Sequence, residues 1–103
     1  MIVRYNRNLK ETYIPEYERT GMVSVTFYAK EGCWFCDMAE EMLNGYQEKY
    51  GLAVNKVDIA SDEELHRLYR FDIPVLEFED GTTLHGRIKK QELLAAIERN
   101  QKG

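Results

Sequence analysis

The chain holds two cysteines, Cys33 and Cys36, within the stretch Phe27-Tyr28-Ala29-Lys30-Glu31-Gly32-Cys33-Trp34-Phe35-Cys36. Two thiols separated by two residues can exchange electrons as a pair. One attacks a substrate disulfide as a thiolate, and the other then attacks the mixed disulfide that results. This chemistry sets two conditions. The attacking sulfur must be ionised near neutral pH, although an ordinary cysteine, with a pKa of about 8.5, is mostly protonated there. The second sulfur must lie within bonding reach, which a helix start provides because positions three apart share a face.

The neighbouring residues predict such a helix start. Val23, Val25 and Phe27 alternate with Ser24, Thr26 and Tyr28, a short β-branched and aromatic strand that Gly32 breaks. Phe35, Met38, Ala39, Met42, Leu43, Tyr46 and Tyr50 then recur at helical spacing, predicting a helix from Trp34 to Tyr50 with these residues on its buried face and Gly51 as its stop. Cys33 falls at or just before the first helical position, where unpaired N–H groups carry roughly half a positive charge. Lys30, three residues upstream, adds a cation that stabilises a thiolate, and the Cys36 thiol can donate a hydrogen bond to it. Glu31 and Asp37 oppose both effects, so a moderate lowering of the Cys33 pKa is expected.

The rest of the chain supplies a frame for this helix. Residues 52–59 read as a second strand, and Ser61-Asp62-Glu63-Glu64 as a capping box opening a short helix that buries Leu65, Leu68 and Tyr69. Ile73-Pro74 must be extended, because proline disfavours a helical residue before it. Strands over residues 75–79 and 82–88 flank Asp80-Gly81, a two-residue hairpin signal. A last helix over residues 89–101 buries Leu93, Leu94 and Ile97. The order is β-α-β-α-β-β-α, which predicts an α/β domain with a four-stranded mixed sheet and helices on both faces. Residues 1–21 stand apart as an N-terminal arm, with a short strand at 2–5 and a helical turn at 9–13; residues 22–103 form the domain proper.

With 103 residues, 44% hydrophobic and 31% charged, the chain is long enough for one domain with its own core. A net charge of -4 and the lack of a basic stripe argue against nucleic acid as a partner. No apolar run approaches the roughly 20 residues that span a bilayer. The first residues lack a secretory core, and Glu11, Glu16 and Glu18 argue against a transit peptide, so the expected location is cytoplasmic. A monomer is the expected state. In a reducing compartment a lone cysteine pair is catalytic or metal-binding rather than structural. A zinc site asks for further ligands, and His66 and His85, the two histidines, stand at no ligand spacing and read as solvated surface, so no metal is expected.

Tyr28-Ala29-Lys30-Glu31-Gly32-Cys33-Trp34-Phe35-Cys36 together with Ile73-Pro74-Val75 resembles the glutaredoxin-like branch of the thioredoxin superfamily over residues 22–101. The resemblance implies the thioredoxin-like fold of glutaredoxin type and a thiol–disulfide oxidoreductase acting on protein or small-molecule disulfides. Cys33 would be the nucleophile and Cys36 the resolving thiol. It further implies that Pro74 is cis and faces the cysteines, and that the Ile73 backbone pairs with an extended substrate segment. Trp34, Phe35, Ile73 and Pro74 would then form the substrate surface. The chain departs from the family in having Cys-Trp-Phe-Cys where glutaredoxins have Cys-Pro-Tyr-Cys. It also has the basic run Arg87-Ile88-Lys89-Lys90 where they carry a second glycine and acidic residues that grip glutathione. Lys30 matches the basic residue that meets the glutathione carboxylate. The electron donor is therefore either glutathione, as co-substrate, or a flavoprotein reductase of the thioredoxin-reductase type. Two other readings stay open: a module binding a metal or iron–sulfur cluster, and a redox-inactive interaction domain.

Overall fold

The computed structural model describes residues 22–101. The arm and its two expected elements at 2–5 and 9–13 lie outside this range. The described elements are β1 (Val23–Ala29), α1 (Trp34–Tyr50), β2 (Leu52–Asp58), a 3-10 turn (Ile59–Ser61), α2 (Glu63–Tyr69), β3 (Val75–Phe78), β4 (Thr83–His85) and α3 (Lys90–Gln101). The strands form one mixed sheet in the order β2-β1-β3-β4, the α/β architecture expected from the sequence. β1 pairs in parallel with β2 from Val23↔Leu52 to Ala29↔Asp58, as a helical crossover requires. It pairs antiparallel with β3 from Val25↔Phe78 to Tyr28↔Val75, and β3 pairs antiparallel with β4.

The alternation along β1 decides which helix covers which face. Val23, Val25, Phe27 and Ala29 are all buried and share one core with Ala39 and Leu43 of α1 and Leu93, Ala96 and Ile97 of α3. α1 and α3 therefore lie on the same face. Tyr28 points to the other face, where its ring stacks on Tyr69 of α2 with centroids 4.5 Å apart. α1 ends where expected: Gly51 turns left-handed with φ 68°, and its N–H donates to the carbonyl of Gln47. The carbonyl of Gly51 then accepts from the N–H of Val23 at 2.9 Å, fastening the helix end to the start of β1.

Several local expectations are corrected. Phe35 and Met38 are 41% and 39% exposed, and Cys36, 2% exposed, takes the inward place at the start of α1. α2 is capped by Asp62, not Ser61: the Asp62 carboxylate accepts from the N–H of Glu64 and of Leu65, while the Ser61 hydroxyl donates back to the carbonyl of Asp58 and closes the 3-10 turn. No residue of α2 is fully buried, and Leu68 is 50% exposed, since this two-turn helix meets the sheet chiefly through Tyr69. The hairpin loop holds three residues, Glu79 to Gly81, because Phe78 donates to the carbonyl of Thr82 and Gly81 to that of Phe78. β4 stops at His85, as Gly86 turns with φ 72° and donates its N–H to the carbonyls of Asp72 and Pro74. Leu94 is only half-buried; Ala96 takes the inward place between Leu93 and Ile97.

Candidate functional site

Cys33 is the N-cap of α1. Its backbone is extended, with φ −101° and ψ 111°, and its carbonyl accepts the first helical bond, from Asp37, at 3.1 Å. Its Sγ accepts the N–H of Cys36 at 3.1 Å, the bond that a serine or aspartate oxygen would make at this position. Gly32, at φ 82°, makes the turn from β1 into this cap, a conformation that costs a residue with a side chain. The Cα atoms of Cys33 and Cys36 are 5.1 Å apart, inside the roughly 4.4–6.8 Å that a disulfide spans, and their sulfurs lie at near-disulfide contact. The two sulfurs differ in access. Cys36 is 2% exposed within the core, whereas Cys33 is half-buried at its margin.

The sheet register brings the second motif to the same end of the molecule. β1 runs into the cysteine loop and β3 runs out of Ile73-Pro74, and the antiparallel pair Tyr28↔Val75 sets these two junctions side by side. The Ile73–Pro74 peptide bond is cis, as the resemblance implied, and Pro74 is fully buried. The Ile73 N–H donates to the carbonyl of Tyr69 at 3.1 Å, at the end of α2.

Lys30 is exposed, and its Nζ stands 3.4 Å from Nε2 of His66 on α2. His66 is thus half-buried and engaged, not the solvated histidine the sequence suggested. Tyr28 donates from its hydroxyl to Glu77 at 3.2 Å. Burial, then the charge and hydrogen bond of Glu77, and then Tyr69 push its phenol from 10.0 up to about 12. Trp34 is 73% exposed beside the cysteines. Phe71, 83% exposed just ahead of Ile73, and Leu68 add apolar surface at the end of α2 that the sequence reading missed. Phe71 lies outside every periodic segment, so no pattern singles it out. Among the described residues no three His, Cys, Asp or Glu side chains converge as a metal site, and no helix is long and apolar enough to cross a membrane.

A redox-suited cysteine pair, set at a helix start beside a cis-proline on a β2-β1-β3-β4 sheet, invites comparison with known proteins. Residues 24–98 match the family described as Glutaredoxin-like domain (DUF836). The chain belongs to this glutaredoxin-like family. Among solved structures, a structural-genomics target protein from X. campestris is 31% identical, with a TM-score of 0.62, over 73% of this chain and 96% of that one. A thioredoxin mutant from Halobacterium salinarum is 25% identical, with a TM-score of 0.63, over 77% of this chain and 74% of its own. Thioredoxin-2 of the malaria parasite, at 24% identity and a TM-score of 0.58, covers 76% of this chain and 82% of its own and shares the fold. This is a glutaredoxin-like protein with a thioredoxin-like fold and a Cys-x-x-Cys pair.

Proposed function

We propose that this glutaredoxin-like protein is a cytoplasmic dithiol–disulfide oxidoreductase that reduces protein or small-molecule disulfides. The observation that carries the reading is the unequal setting of the two sulfurs: Cys33 is accessible at the helix cap and accepts an amide N–H, while Cys36 is sealed in the core one turn on. An amide donor and a helix N-terminus both favour the anionic form of a sulfur placed there.

The reaction runs in two balanced steps. The Cys33 thiolate attacks one sulfur of the substrate disulfide, forming a mixed disulfide and expelling the first substrate thiolate. Cys36 gives up its proton and attacks Cys33 Sγ, expelling the second substrate thiolate and leaving the Cys33–Cys36 disulfide. Two electrons pass to the substrate, and two protons complete its thiols. Glutathione or a flavoprotein reductase then returns two electrons to the pair. Lys30, steered by His66, supplies positive charge on the approach to Cys33. Trp34, Phe35 and Ile73 form the surface on which the substrate rests, backed by the buried Pro74.

The test is reduction of hydroxyethyl disulfide with dithiothreitol as the ultimate reductant. Cys33→Ser should abolish turnover. Cys36→Ser should lose steady-state turnover yet accumulate a mixed disulfide on Cys33, visible as the added mass of one substrate half. Full activity in Cys33→Ser, or a mixed disulfide found on Cys36 instead, would overturn the assignment.

A further inference from the structure

We propose that the groove between α1 and the segment joining β4 to α3 is a docking site for an acidic segment of the partner protein whose disulfide is exchanged at Cys33. The inference rests on the oxidoreductase reading and adds to it the class of partner.

The groove has a volume of about 760 Å3. That lies within the roughly 300–1,000 Å3 of ordinary ligand clefts and offers room for a length of chain, not a single ion. Met38, Met42 and Ile88 give it an apolar floor, and thioether side chains adapt readily to varied partners. Arg87, Lys89 and Lys90 line one wall, with Glu41 as the opposing charge. Three cations against one acid give a local balance of +2 on a chain whose net charge is -4. The three cations have no ion-pair partner among the described residues, whereas Lys56, Arg67 and Arg99 each have one. A concave surface with an apolar floor and an uncompensated cationic wall is complementary to an acidic segment that also carries an apolar side chain.

Two connections tie the groove to the cysteines. Trp34, Met38 and Met42 are spaced i, i+4, i+8 along α1, so they form one ridge that runs from the helix start beside Cys33 into the groove. Trp34 and Met38 remain 73% and 39% exposed along it. The opposite wall begins at Gly86, whose N–H donates to the carbonyl of Pro74 at 3.0 Å, so this wall is anchored to the proline loop at the site. A chain seated in the groove therefore leads its flanking residues towards Cys33. The basic run that departs from the family's glutathione-gripping residues acquires a use: it selects a longer acidic partner.

The test compares three disulfides with full-length protein and dithiothreitol: neutral hydroxyethyl disulfide, a peptide disulfide flanked by Glu and Leu, and an equal-length one flanked by Lys and Leu. The expected kcat/KM for the acidic peptide exceeds that for the basic one by about tenfold at low ionic strength, and the ratio falls towards one near ~0.5 M salt. The ratio should likewise collapse in the Arg87→Gln, Lys89→Gln, Lys90→Gln triple variant. Because both peptides are read in the same sample, the ratio does not depend on how much of the variant folds. Parity between the peptides in the wild-type protein, or a preference that survives the triple variant, would each overturn the docking site. If the wild-type protein reduces hydroxyethyl disulfide, such a result removes this inference alone. If it does not, the oxidoreductase reading itself has failed.

Discussion

At Cys33 a sulfur takes the place of a capping oxygen, and much of the site's character follows from that substitution. The N–H of Cys36 has to be satisfied at the helix start, and the atom offered to it is the sulfur that the proposed reaction uses as nucleophile. Tyr28 shows a different control, through its partners on α2 and β3. Its phenol is held at about 12 against an ordinary value of 10.0, first by burial and then by the carboxylate of Glu77. The folded state thus keeps the Tyr28 proton over a window in which the unfolded chain has lost it. Stability from this group is complete below pH 10 and is lost as the pH rises from 10 towards 12. Urea unfolding of the oxidised protein, in which the thiols do not titrate, should show a midpoint that drops through this window. Tyr28→Phe should flatten the drop. An equal drop in both proteins would show that the phenol is not the group responsible.

Among the elements, α1 was the most legible in advance, because a 3.6-residue apolar period fixed its body and Gly51 its end. Gly51 lies at φ 68°, where a Cβ meets the neighbouring carbonyl, so Gly51→Ala should cost about 1–2 kcal/mol in urea unfolding. An unchanged midpoint would contradict the left-handed cap. α2 was less legible. Ser61 and Asp62 are both good caps, and only the 3-10 turn, which draws the Ser61 hydroxyl back to Asp58, leaves the role to Asp62. Its apolar residues kept a helical period, yet Leu68 faces out, since periodicity does not say whether a sheet is there to receive the stripe. The hairpin lengthened by one residue for a related reason: Asp-Gly is compatible with two loop lengths, and the bond from Phe78 to Thr82 selects the longer.

For the molecule as a whole, one buried cluster joins α1, α3 and strands β1 to β3, so unfolding should be a single cooperative event over the described residues. Leu93 is fully buried at the base of α3. Leu93→Ala should cost about 2–5 kcal/mol by the cavity it leaves. At roughly 4–8 °C per kcal/mol for a domain of this size, Tm should fall by at least about 8 °C. Calorimetry checks both statements: van 't Hoff and calorimetric enthalpies should agree before and after the substitution. Two separate transitions would show that the helical face and the sheet do not share a core. The same packing leaves the groove lined by Met38 and Met42 of α1 and by residues 87–91, which lead into α3.

The sequence by itself determined the cysteine spacing, the strand that leads into it, the helix that carries it and the order of elements, because each is written in local chemistry and in the period of apolar residues. Tertiary structure alone decided that His66 meets Lys30 across 36 positions, that the Ile73 N–H is spent on α2, and that Arg87, Lys89 and Lys90 line one groove with Met38 and Met42. These are relations between segments distant along the chain. They depend on how the sheet twists and where each helix comes to rest, and no spacing within a single segment encodes them.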